Sequence, residues 1–194
     1  MIKLIRHSIV SGILVGIGVL INTIAENPVV GSFLFSLALL TIIKNGFTLY
    51  TGKIGFIRDI PLQDLAIMLI FNFVGIFLTV YMIIPQRETV MAAMQAAANA
   101  KFGHDFLYLF THGIMCGALM FIAVYSKEPL ITVMSIMAFI LSGFEHCIAD
   151  FPYLFLVFSP VNLLKFVVII LGNSVGSVLL RLLFDGRKEK NLKF

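Results

Sequence analysis

Long apolar runs with brief polar interruptions dominate this chain. Residues 8–25 are uncharged and long enough to cross a bilayer at about 20 residues per span. Glu26, Asn27 and Pro28 end that run, Asn27 being suited to cap a helix and Pro28 to begin one. A second run, 28–43, meets Lys44 and then 45–53, which hold Gly46, Thr48, Thr51, Gly52 and Lys53. This predicts a helix that stops inside the membrane, an irregular loop, and a short return to the surface at Arg58 and Asp59. Non-helical backbone at that depth needs protein or a wet cavity around it. Residues 64–85 read as a third span. Residues 91–98, rich in alanine and methionine, have high helix propensity but low hydrophobicity, and predict a short surface helix within the connector 86–103. The fourth span is 106–126, and 127–129 make a tight turn. A fifth helix starts at Pro129 and meets a second interruption over 143–150. Pro152 then opens a short apolar piece to 158, and Ser159 and Pro160 start a sixth span that runs to about 180.

The second interruption carries most of the candidate chemistry. Gly143 permits a bend, and Glu145, His146 and Asp150 are ionisable within an otherwise apolar stretch. Ionisable groups at membrane depth are costly, face a cavity, and mark substrate or proton paths. The plainer alternative is a tight loop at the membrane surface.

Composition removes the soluble alternatives. The chain is 60% hydrophobic and 12% charged, with a mean hydropathy of +1.04, against about 25% charged residues in a soluble domain. One transmembrane domain over 1–194 is expected, with no soluble enzyme module, no cofactor and no metal site. The net charge of +4 gathers at the ends and in short loops, as topology requires, not in a nucleic-acid-binding face. One side collects Lys3, Arg6, Arg58, Lys127, Arg181, Arg187, Lys188, Lys190 and Lys193; the other holds Arg87 and Lys101, with Lys165 near a helix start. The basic side is predicted cytoplasmic, with both termini inside a multi-pass inner (plasma) membrane protein. The first apolar run mimics a secretory signal, but its likeness to a later segment argues against cleavage. Cys116 and Cys147 sit in apolar context and read as free, buried thiols.

Comparison of the chain with itself exposes a repeat. Residues 11–16 resemble 112–117, and Asn72-Phe73-Val74-Gly75 resembles Asn173-Ser174-Val175-Gly176. Gly46-Phe47 and Gly143-Phe144 mark the two interruptions. Similar matches in the same order predict duplication of a three-span unit, 8–85 and 104–184, followed by a basic cytoplasmic tail at 185–194. A three-span unit enters the membrane upside down when repeated, so the expected fold is six transmembrane helices in two inverted repeats. The second and fifth are broken and meet near the midplane, as in an aquaporin-like protomer. Asn72 and Asn173 are candidates to satisfy backbone groups near the breaks, and Glu145 either supports its loop or pairs with a base.

These features resemble the formate/nitrite transporter family. The resemblance rests on Gly143-Phe144-Glu145-His146 and Leu49-Tyr50-Thr51 in the broken helices, with Gly113-Ile114, Ala123-Val124-Tyr125 and Gly172-Asn173 beside them. It implies a homopentamer with a pore in each protomer, conducting formate, nitrite, hydrosulfide, acetate or lactate. By the same resemblance His146 is the central pore histidine and Thr51 its partner on the opposing loop. Phe35 and Leu39 fall at one apolar constriction, and Tyr50 and Phe139, with Leu49, at the outer one. Lys101 draws anions inward. The chain departs from the family in lacking its long amphipathic N-terminal helix and in a reduced connector between the fifth and sixth spans. It also has Gly117 where an asparagine is common, and Asp150 for the asparagine after the histidine.

A charge crossing a bilayer centre is costly, and a weak acid avoids this by crossing as its neutral form. Such a path needs an electropositive mouth, a dry passage and a proton. Lys101 serves the first and the apolar rings the second. His146 titrates near neutrality and either exchanges the proton or stays neutral while bulk water provides it. The competing functions are a channel for water, urea or ammonia, and a substrate-binding membrane subunit of a multi-component transporter.

Overall fold

The computed structural model describes residues 1–188, all of whose regular elements are helical. They are α1 (Ile2–Ile24), α2 (Pro28–Lys44), α3 (Tyr50–Lys53), a 3-10 turn at Ile54–Phe56, α4 (Leu62–Ile83), α5 (Glu88–Gly103), α6 (Phe106–Ser126), α7 (Pro129–Leu141), α8 (Cys147–Leu156) and α9 (Pro160–Lys188). Among the described residues four helical stretches are long and apolar enough to cross a membrane: Ile2–Ile24, Leu62–Gln86, Phe106–Ser126 and Pro160–Asp185. The shorter apolar helices α2, α7 and α8 adjoin the two interruptions. Lys190 and Lys193 lie outside the described residues, as does the tail beyond 188.

Asn27 caps α2, its side chain accepting from the Val29 and Val30 amides, and Pro28 occupies the first turn, where no intrahelical donor is needed. α1 begins six residues before the apolar run alone indicates, because Lys3 and Arg6 are exposed and long basic side chains keep their charge off the apolar surface. α5 is longer than the predicted surface helix and buries Val90, Met94, Ala98 and Phe102, one face at a spacing of four, against α8. The second interruption is narrower than 143–150. Helix resumes at Cys147, and Pro152 lies inside α8, its carbonyl taken by the Tyr81 hydroxyl at 3.1 Å.

The two interruptions are built alike. α2 and α7 each end in a Schellman motif with a left-handed glycine, Gly46 at φ +67° and Gly143 at φ +68°. The Phe47 and Phe144 amides reach back to the Ile42 and Phe139 carbonyls at 3.0 and 2.9 Å. Backbone then runs extended to Leu49 and to His146, the residues that precede α3 and α8.

α1 packs on α4, α6 on α9, and α2 crosses α7. Glycines set the closeness of the first two pairs. A Cβ on Gly12 would strike the Asn72 carbonyl, and one on Gly117 the Asn173 carbonyl. Gly117 therefore stands where no asparagine side chain fits.

Candidate permeation site

The two asparagines tie each interruption to the long helices. The Tyr50 amide donates to Asn72 Oδ1 at 2.8 Å, and Asn72 Nδ2 donates to the Ser8 and Thr48 carbonyls at 2.8 and 2.9 Å. The Cys147 amide donates to Asn173 Oδ1 at 2.9 Å, and Asn173 Nδ2 donates to the Gly113 and Glu145 carbonyls at 2.9 and 2.7 Å. Each asparagine satisfies the first amide of a new helix and a carbonyl of the loop before it, as backbone away from water requires. Both are fully buried.

So held, the loops bring Thr51 and His146 together. Thr51 Oγ1 and His146 Nε2 are 2.8 Å apart and buried. His146 also caps α8, its Nδ1 accepting the Ala149 amide at 3.1 Å. An accepting Nδ1 leaves the proton of the neutral ring on Nε2, so Nε2–H donates to Thr51 Oγ1. The threonine hydroxyl hydrogen stays available. A cationic imidazole would set a second N–H against the Ala149 amide at a helix N-terminus, where positive charge is disfavoured.

Aromatic and aliphatic side chains enclose this pair. Phe139 stacks on His146 at 5.4 Å between centroids, and Phe35 meets Phe139 edge-on at 6.2 Å. Phe35 and Phe139 thus meet where α2 packs on α7. Leu39, one turn along α2, is fully buried. Leu49 and Tyr50 are buried at the start of α3, the tyrosine hydroxyl lying 2.9 Å from Ser174 Oγ.

Lys101 and Glu145 are also joined. Lys101 Nζ lies 2.6 Å from Glu145 Oε2 and 3.0 Å from Asp150 Oδ1, with the lysine side chain 25% exposed and both carboxylates 3%. Burial works against the ammonium, but Asp150 and Glu145 outweigh it and hold Lys101 charged above its ordinary range. Two acids at this lysine replace the lone cation read from sequence. His112 Nδ1 lies 2.9 Å from the Tyr108 carbonyl, and its ring stacks on Tyr108. Both cysteines are buried and free.

Sequence reading passed over one element of the site. A cavity of about 860 Å³ opens beside α3 and is lined by Leu49, Gly52, Lys44, Lys53, Lys127 and Arg181, among others. Arg181 is paired with Asp59 at 3.3 Å and Asp185 at 2.6 Å, whereas Lys44, Lys53 and Lys127 form no salt bridge among the described residues. The available signal was a lysine on either side of the first interruption and a third in the tight turn at 127.

The family model described as formate/nitrite transporter matches residues 1–185. No curated protein matches the chain. The fold is similar to that of a pentameric formate channel solved with formate bound, at 20% identity and a TM-score of 0.74, covering 96% of this chain and 95% of that one. It is also similar to an FNT family ion channel, at 21% identity and a TM-score of 0.80, covering 96% of this chain and 90% of that one.

Proposed function

We propose that this chain, which belongs to the formate/nitrite transporter family, is a multi-pass channel for small monovalent anions of weak acids whose path runs past the Thr51–His146 contact. That contact carries the reading, because it is a buried polar pair, 2.8 Å apart, between two interrupted helices whose first amides are satisfied in the same way. Identical glycine caps and paired asparagines support two inverted three-helix repeats, with α2–α3 and α7–α8 as the broken members. The similar formate channel supports formate as one permeant and a pentameric assembly. The charge asymmetry of the sequence supports cytoplasmic termini in the plasma membrane.

In this mechanism the anion gathers at the basic cavity beside α3, where Lys44, Lys53 and Lys127 raise its local concentration. Phe35 and Leu39 at one constriction, and Tyr50 and Phe139 with Leu49 at the other, exclude bulk water. His146 stays neutral and donates through Nε2–H to Thr51, whose hydroxyl then turns its own hydrogen toward the permeant. The proton that neutralises the acid comes from solvent, so the imidazole orients the hydroxyl and does not shuttle. Lys101, paired with both Glu145 and Asp150, is the basic residue at the other break.

Uptake by proteoliposomes tests this reading. Purified chain should take up formate and nitrite, and His146→Ala should slow that uptake because the hydroxyl loses its orienting donor. Uptake of water or urea with none of any small monovalent anion would overturn it in favour of a neutral-solute channel.

A further inference from the structure

Beside the imidazole the buried charges do not balance. Among the described residues Lys101 is the single cation within reach of Glu145 and Asp150, at 2.6 and 3.0 Å. Both carboxylates are nine-tenths buried or more, and with both ionised the group carries one uncompensated negative charge in an apolar setting, which is costly. Asp150 Oδ2 is the one buried side-chain polar atom without a hydrogen-bond partner among the described residues. Two buried acids gathered on a single ammonium resist ionising together. The Asp150 amide donates to the His146 carbonyl at 2.9 Å, which places the group one helical turn from the imidazole.

We propose that Asp150, placed beside Glu145 over Lys101, holds one exchangeable proton, and that this proton decides whether the channel admits an anion. The inference rests on the transport reading above. With the proton in place the cluster is neutral and an anion approaches freely. Without it the cluster is negative and repels the anion next to His146. Channel opening to anions then follows acidity through a carboxyl pair, with His146 remaining neutral throughout. The other groups that pack here do not compete for this role. On α8 itself Tyr153 lies with its ring 5.8 Å from Lys101 Nζ, and Cys147 adjoins His146. Cys116 comes from α6, Tyr81 from α4 is bound to the Pro152 carbonyl, and Lys165 from α9 is bound to the Phe102 carbonyl at 2.7 Å. Ordinary thiols, phenols and ammonium groups keep their protons in the acid-to-neutral range.

Asp150→Asn removes the titrating acid while keeping its shape and leaves a neutral Lys101–Glu145 pair. Two measurements on full-length protein decide the matter. Infrared difference spectra across a pH titration should show a protonated-carboxyl C=O band in the wild type that fades as pH rises and is missing in Asp150→Asn. Formate uptake between about pH 5 and 8 should fall more steeply with pH in the wild type, leaving the variant faster by about tenfold at the alkaline end, the low end of what local charge does to ion on-rates. Absence of the band from folded wild-type protein, or superimposable uptake profiles, would overturn the proposal. If Asp150→Asn fails to fold, Glu145→Gln must abolish the same band; persistence of the band there also overturns it. Wild-type vesicles that take up no weak-acid anion at any pH would sink the transport reading, whereas the infrared result judges the proton separately.

Discussion

His146 does two jobs with one ring, capping α8 through Nδ1 and donating to Thr51 through Nε2. The cap assigns the tautomer, and the tautomer assigns the direction of the buried hydrogen bond. Thr51→Val separates these jobs. It leaves Nε2–H buried without an acceptor, at a cost of about 1–3 kcal/mol, and removes the hydroxyl proposed to meet the permeant. The expected outcome is a lower melting temperature in detergent together with slower formate uptake, whereas Thr51→Ser should retain both. Asn72 and Asn173 act on the backbone alone. Each donates twice and accepts once, so aspartate, which has the same shape but donates nothing when ionised, does not replace them.

Two classes of glycine govern the elements, and they respond differently to substitution. Gly46 and Gly143 hold a left-handed conformation, but a Cβ at either would find nothing within 4 Å. Alanine there incurs only backbone strain, about 1–2 kcal/mol. Gly117 has ordinary helical backbone but rests on the Asn173 carbonyl. Valine there must force α6 from α9, and overpacking costs about 1–3 kcal/mol or more. Because Asn173 also holds the first amide of α8, Gly117→Val should reduce uptake as well as stability, while Gly143→Ala at matched stability should transport more. Thermal melting and vesicle uptake on the same preparations check the contrast.

Charge distinguishes the two ends of the molecule. The cavity beside α3 gathers Lys44, Lys53 and Lys127, while at the second break Lys101 is outnumbered by carboxylates. Attraction at the open cavity is screened over about 10 Å at 0.1 M salt and about 3 Å at 1 M. Uptake at a low anion concentration should therefore slow as an impermeant salt is added on the side that faces this cavity. Added on the opposite side, the same salt should have a weaker effect. Side-selective salt titration of oriented vesicles measures the difference, and equal effects from both sides would count against the basic cavity as the collecting mouth. Large apolar side chains are exposed on the chain, among them Leu62, Leu107 and Leu130, as suits a surface that meets lipid.

A membrane protein's class is readable from its sequence because the bilayer constrains every residue locally. Spans need about 20 apolar residues, and a helix that ends early needs a special residue at its end. Membrane residence, the two helix ends at Gly46 and Gly143, and the cap at Asn27 and Pro28 were legible for that reason. The Thr51–His146 contact joins residues 95 positions apart, and only the family resemblance, not the apolar pattern, pointed to it. Lys101 meets Glu145 and Asp150 only because α5 docks on α8, and Phe35 meets Phe139 only because α2 crosses α7. Those outcomes depend on which faces of which helices meet, and a repeating apolar run specifies no unique partner for any face. Tertiary packing alone made the partnerships, and with them the charge of the site.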